Sequence, residues 1–190
     1  GLPVGSFAVK GGPVNASCDI FKIKITGKSS HVGRPHLGRD ALVTASEVVV
    51  ALQTIVAREV NPIDRAVVGV GKLNAGTRYN IVANDAEIEG TIRAFSHETR
   101  AHLKEAVTRI AKGIAELNRC EFEIDWYDAA APVINTPELA EEFQKVVAQV
   151  EGIDNLITNY ELSMGADDFA DYTVNKPGVY GLLGSQSGEE

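Results

Sequence analysis

The chain has 190 residues, enough for one full domain or two small ones, and its make-up is globular, 44% hydrophobic and 23% charged. A net charge of −8 argues against nucleic acid or an anionic membrane as the main partner, because phosphate recognition needs clustered Lys and Arg. No continuous apolar run approaches the roughly 20 residues that cross a bilayer, and the opening GLPVGSFAVKGG lacks the charged and apolar regions of a secretory leader. A cytoplasmic protein is the expectation.

Residues 1–17 are rich in Gly, Pro and Val and show no period. DIFKIKITG then alternates, with Phe21, Ile23 and Ile25 on one face and Lys22, Lys24 and Thr26 on the other, the pattern of a half-buried strand. The loop SSHVGRPHLGRD follows, with His31 and His36 five residues apart. Asp40 is placed to cap a helix running to about Val60. Its stripe of Leu42, Ala45, Val49, Leu52 and Val56 is widened by Ala41, Val48 and Ile55. One sheet needs a stripe of only about 100°, so this helix is expected to meet a second surface. NPID ends it, AVVGVGKL reads as a short strand, and NAGTRYN as a turn. The next strand, ending at Phe95, has Ala86, Ile88, Gly90, Ile92 and Ala94 on one face and Glu87, Glu89, Thr91 and Arg93 on the other. Ser96 caps a second helix whose seam is Leu103, Val107, Ile110, Ile114 and Leu117. A fourth strand turns Cys120, Phe122, Ile124 and Trp126 inward and Glu121, Glu123, Asp125 and Tyr127 outward.

The order is β-α-β-β-α-β, which predicts an α+β, ferredoxin-like unit with an antiparallel sheet and two helices on one face. The first strand would lie between the third and fourth, with Lys22 and Lys24 facing Glu87 and Glu89 on one side and Glu121 and Glu123 on the other. The second strand becomes an edge with no internal proline, open to pairing with another chain. A homodimer joined edge to edge and helix to helix is expected; the alternative is an edge covered by the chain's own termini. Cys18 and Cys120 form no disulfide framework and no CxxC pair, and read as buried free thiols.

Residues 131–190 change character. NTPELAEEFQKVVAQVEG is a helix with Asn135 or Thr136 at its cap; a strand-like NLITNYE, the stretch MGADDFADY and the run GVYGLLG follow. So short a segment buries too little surface for a good core. The chain reads as a whole inserted domain flanked by pieces of an incomplete one.

Among the polar residues, His31 and His36 do not share a helical face, and no nearby Cys or acid pair completes the three or four ligands that zinc takes. Pro35 favours a rigid loop. Read from the residues alone, His31 and His36 are loop histidines bonded to backbone, Asn80 is a turn residue, and Arg93 is a salt-bridge partner of Glu89 or Glu121. Gly76 is expected at positive φ. Asp167 and Asp168 read as a capped turn or as a pair that attracts a cation, and His97 and His102 as solvated.

DIFKIKITGKSSHVGRPHLGRDA, ALQTIVAREVNP, GTRYNIVANDAEIEGTIRAF and MGADDFADY together resemble the dinuclear-metal amidohydrolases of the aminoacylase and metallopeptidase group. These include hippurate hydrolase, auxin-conjugate hydrolases, N-acetyl-diaminopimelate deacetylase and relatives of carboxypeptidase G. The resemblance covers nearly the whole chain. It implies a strand from the catalytic domain at 1–16, a lid or dimerisation domain at 17–130, and the C-terminal part of an incomplete catalytic domain at 131–190. It also implies that His31 reaches into a second subunit's active site and steadies the oxyanion there, a role worth about 10²–10³ in rate. Asn80 and Arg93 would contact the substrate's carboxylate, which suits the guanidinium fork, and His36 is a further substrate-binding candidate.

In that family the first metal-binding segments precede the lid, and a metal-binding histidine usually follows a strand end such as LLGSQSGEE. The expectation is therefore a fragment without metal ligands that hydrolyses nothing by itself. The whole enzyme would bind two divalent ions, zinc or manganese. A metal-bound water would attack a small N-acyl amino acid or peptide, with an upstream Glu as base. The alternative is a non-catalytic dimeric ligand-binding or regulatory module. RNA binding through the open sheet fails, because Lys and Glu stand where stacking aromatics are needed.

Overall fold

The computed structural model describes residues 1–186; the last four residues of LLGSQSGEE lie outside the described residues. In chain order the elements are β1 (Ser6–Ala8), β2 (Gly12–Asn15), β3 (Cys18–Thr26), a 3-10 turn at Pro35–Leu37, α1 (Ala41–Leu52), α2 (Thr54–Arg58), β4 (Ala66–Ala75), β5 (Asp85–Ala94), α3 (His97–Leu117), β6 (Glu121–Ala130), β7 (Val133–Asn135), α4 (Pro137–Val147), β8 (Asn155–Ile157), α5 (Ala170–Thr173) and β9 (Leu182–Leu183). They form two compact units, Cys18–Ala129 and the pair of segments Gly1–Ser17 and Ala130–Glu190.

The Cys18–Ala129 unit is a four-stranded sheet in the order β4-β5-β3-β6, with β3–β5 and β4–β5 antiparallel. The alternation of β3 and β5 sends Phe21, Ile23, Ile25, Ile88 and Ile92 into one core with Leu103 and Val107 of α3 and Val48 and Leu52 of α1. Gly90 has its place because of Phe21: a Cβ there would lie 2.3 Å from the ring's Cζ. The two main helices begin where their caps stand. Asp40 accepts the N–H groups of Leu42 and Val43, and Ser96 accepts that of Thr99.

Four departures from the sequence reading have local causes. The helix expected to reach Val60 breaks at Gln53, whose N–H bonds the Val50 carbonyl three residues back, while the side chains of Gln53 and Thr54 bond the Val49 and Ala51 carbonyls. By length and composition Ala41–Arg58 could cross a membrane; here its Ala41, Ala45, Val48, Leu52 and Ile55 face is buried, whereas Leu42 and Val56, assigned to the core stripe, are exposed. A bulge between Val70 and Lys72 shifts the register of β4. It flips the parity, so that Val70 pairs with Gly90 on the core side and Lys72 pairs with Glu89 on the open face. Lys72 therefore joins Lys22 over the acids, with Lys22–Glu87 and Lys72–Glu89 both at 2.8 Å. Alternation alone places only Lys22 and Lys24 there. Cys18 is only partly buried, while Cys120 is buried, and both are free.

One buried charge was not anticipated. The Asp19 side chain is 0% exposed. It accepts two hydrogen bonds of 2.7 Å from Arg100 and lies 3.0 Å from Lys104 Nζ, which also pairs with Asp128. Asp19 shares its parity with Phe21, Ile23 and Ile25, so an acid on an apolar face was the available signal. The cluster ties α3 to β3 and β6.

In the other unit β1 is central, parallel to β8 and antiparallel to β9, and β2 pairs antiparallel with β7. NLITNYE and GVYGLLG contribute only three and two strand residues. Asn135 does not cap α4; Thr136 holds that position. The buried Asn135 amide instead donates to the Lys10 and Tyr180 carbonyls and accepts from Tyr180 N–H at 2.7 Å.

Candidate functional site

The loop carrying both histidines is closed at its base by reciprocal 2.9 Å backbone bonds between Lys28 and Arg39. Midway it runs beside the segment that leads into β5. His31 and Ile81 form an antiparallel bridge, Val32 N–H donates to the Asn80 carbonyl at 3.0 Å, and Val82 N–H donates to the Ser30 carbonyl at 2.9 Å. His31 and Asn80, far apart in sequence, are thus held together by backbone pairing. Gly76, at φ 73°, turns the chain into that segment as expected.

The His31 side chain is exposed, and its Nδ1 accepts a 3.0 Å hydrogen bond from Gly33 N–H. His36 is exposed on the 3-10 turn. Beside the loop is an open concavity of about 540 Å³ bordered by Val32, Asp40, Gly76, Arg78 and Tyr79. Arg78 and Tyr79 were not singled out in the sequence. Tyr79 is 97% exposed, and a bulky aromatic in a turn was the signal that could have drawn attention to it.

Arg93 lies elsewhere. Asp85, near the Asn80 segment, pairs with Thr26 at one end of β5, whereas Arg93 pairs with Val67 at the other. Those two positions of β5 are about 26 Å apart along the strand at roughly 3.3 Å per residue. Within one protomer the sheet therefore brings His31 and Asn80 together and keeps Arg93 apart.

Two other sets of polar residues were named from the sequence. Asp167 accepts Phe169 N–H and the Tyr180 hydroxyl, each at 2.9 Å, in the turn before α5. Burial, and then that carboxylate, raise the Tyr180 phenol above its ordinary value. His102, expected in solvent, is half-buried, with Nε2 3.9 Å from the Glu59 carboxylate. Among the described residues no group of three or more His, Cys, Asp or Glu is arranged to hold a metal ion.

The family described as peptidase dimerisation domain, M20, matches residues 20–119. The chain belongs to the M20 peptidase dimerisation-domain family. The match falls within the Cys18–Ala129 unit. The chain is 38% identical over 185 residues to an N-acetyldiaminopimelate deacetylase of Priestia megaterium, covering 97% of this chain and 49% of that protein. A Bacillus subtilis structure described as a dinuclear metal binding peptidase from the M20 family matches with a TM-score of 0.79 and 31% identity, over 100% of this chain and 46% of that one. A structure from methicillin-resistant Staphylococcus aureus matches with a TM-score of 0.92 and 27% identity, over 99% of this chain and 49% of that one. The chain spans about half the length of the curated relatives it matches. With these M20 relatives, the ferredoxin-like reading of the sheet holds.

Proposed function

We propose that this M20 chain is the self-associating, substrate-capping part of an amidohydrolase that acts on small N-acyl amino acids or peptides. In this reading His31 donates a hydrogen bond to the substrate's amide oxygen in the active centre of a second copy. The observation that carries it is an exposed imidazole, anchored at Nδ1 by Gly33, on a loop beside an open concavity. Amide hydrolysis builds negative charge on the former carbonyl oxygen, and a preorganised donor at that oxygen accelerates the reaction by about 10²–10³. Asn80, on the segment paired to the His31 loop, approaches the same substrate, and His36 contributes at the rim. Arg93 reaches the substrate's carboxylate only where a second copy brings the far end of β5 to the site.

Self-association is supported by the apolar surface on one flank of the sheet. Leu42, Val43 and Val50 of α1, Val56 of α2 and Leu73 of β4 are all exposed, Val50 at 70%. β4 is the edge strand that packs against α1 and α2. A helix face and an unpaired edge on one flank suit pairing with a second copy. The whole protein is read as depending on two divalent ions, zinc or manganese, with ligands outside the described residues; this chain alone is read as inactive.

The test is complementation between two inactive full-length variants. His31→Ala should lower kcat/KM on an N-acetyl amino acid by about 10²–10³-fold. Mixing it with a metal-ligand variant should restore activity in the mixed dimer. Confirmed mixed dimers without activity would rule out a histidine acting across the interface.

A further inference from the structure

We propose that the backbone N–H of Gly33 sets the tautomer of His31, so that the ring presents a proton at Nε2 and none at Nδ1. The neutral imidazole carries a single ring proton, on one nitrogen or the other. Nδ1 accepts from Gly33 N–H at 3.0 Å, and a nitrogen that accepts cannot hold that proton. The proton is left on Nε2, the nitrogen farther from Cβ and free to serve as donor.

The loop is built to keep this arrangement. Arg34 N–H donates to the His31 carbonyl at 2.7 Å, and Val32 N–H donates to the Asn80 carbonyl at 3.0 Å. The backbone around the histidine is therefore held on both sides. Position 33 has no side chain, and a Cβ added there would lie 3.1 Å from Nδ1 and 3.5 Å from Cε1. A Cβ at that distance makes the ring give by a few tenths of an ångström, against the amide that anchors it. Gly33 is a positioning residue, acting through His31 and touching no substrate. The proposal deepens the reading of His31 as an oxyanion donor and rests on that reading only for its consequence in catalysis. In the opposite tautomer Nε2 would present a lone pair to the developing oxyanion, and the contact would be repulsive.

The tautomer is measurable on this chain without substrate. Long-range ¹H–¹⁵N spectra of the ¹⁵N-labelled protein, at about two pH units above an ordinary imidazole pKa, resolve the two nitrogens of each neutral histidine. The ratio of the Nε2–H to the Nδ1–H form should be about three- to tenfold larger for His31 than for the exposed His36, the preference that one net hydrogen bond supplies. Gly33→Pro removes the N–H and should bring the His31 ratio down to that of His36. A wild-type ratio no larger than that of His36 overturns the proposal, and this holds even if the variant does not fold. A Gly33→Pro ratio equal to the wild type's overturns it as well. If His31→Ala leaves hydrolysis by the full-length protein unchanged, the catalytic reading fails while the tautomer result stands.

Discussion

In the Cys18–Ala129 unit, Phe21, Ile23, Ile25, Ile88, Ile92 and Leu103 are all at 0% exposure under two helices, whereas the unit formed by the two chain ends has a small cluster around Val14, Ala131, Val133 and Ala170. The second unit is joined instead by side-chain amides that cross long stretches of sequence. Asn135 holds Lys10 and Tyr180, Gln144 Nε2 donates to the Val9 carbonyl, and Asn155 Nδ2 donates to Ser6 Oγ. A fully buried aliphatic or aromatic side chain contributes about 1.5–3 kcal/mol, against about 0.5–1.5 kcal/mol for a net hydrogen bond. One unit thus resists unfolding through a continuous apolar core. The other depends on a few polar links, each of which matters on its own.

The largest effect that would sharpen this contrast is expected inside the stronger unit. Asp19→Ala leaves Arg100 and Lys104 without the buried carboxylate that both face. Breaking one side of a buried ion cluster costs about 3–5 kcal/mol. Trp126, the only tryptophan, lies 5.6 Å from Phe21 between ring centroids and reports that core by fluorescence. A loss under about 1 kcal/mol in its denaturation curve, the scale of a solvated surface pair, would mean that the cluster is open to water.

A smaller loss is expected in the weaker unit. Asn135→Ala strands Tyr180 N–H and two carbonyls, at a cost of about 1–3 kcal/mol. Hydrogen exchange should show faster exchange at the Tyr180 amide; unchanged protection there would remove Asn135 from its place as the joint of three segments.

The smallest effect is on the solvated face. Hydrogen bonds from Lys22 and Lys72 lower the Glu87 carboxyl from 4.5 to about 2. A carboxyl depressed in the folded state contributes stability above its unfolded pKa and loses it as pH falls through the folded one. The contribution is thus present above about pH 4.5 and fades toward pH 2. Glu87→Gln should flatten the acid limb of the stability curve in that window, and about 1 M salt should do much the same to the wild type. An acid limb identical in variant and wild type would show that the Lys–Glu cluster contributes nothing in solution.

The sheet was legible because period-two alternation assigns each residue of β3 and β5 to a face, and the two faces differ sharply in polarity. Lys22 opposite Glu87 and Glu89 supported the strand order. The helix starts were legible because Asp40 and Ser96 act on N–H groups only two or three residues away. In the candidate site, the histidine loop was recognisable from SSHVGRPHLGRD, but its neighbours were not. Arg78 and Tyr79 sit in a turn whose sequence says nothing about what it faces, and the distance between Asn80 and Arg93 depends on strand length and direction rather than on their 13-residue spacing.

By itself the sequence determined what is local or periodic: the β-α-β-β-α-β order within the Cys18–Ala129 unit, the buried faces of β3, β5 and β6, the capped helix starts and the loop that carries His31. Only the tertiary structure decided what depends on groups distant along the chain. It joined Asp19 to Arg100 across 81 residues and Asn135 to Lys10 across 125, and it paired the His31 loop with Asn80 while leaving Arg93 at the far end of β5. The physical reason is that alternation and capping act over a few residues, whereas a buried polar group must find its partner wherever the fold brings one within about 3 Å.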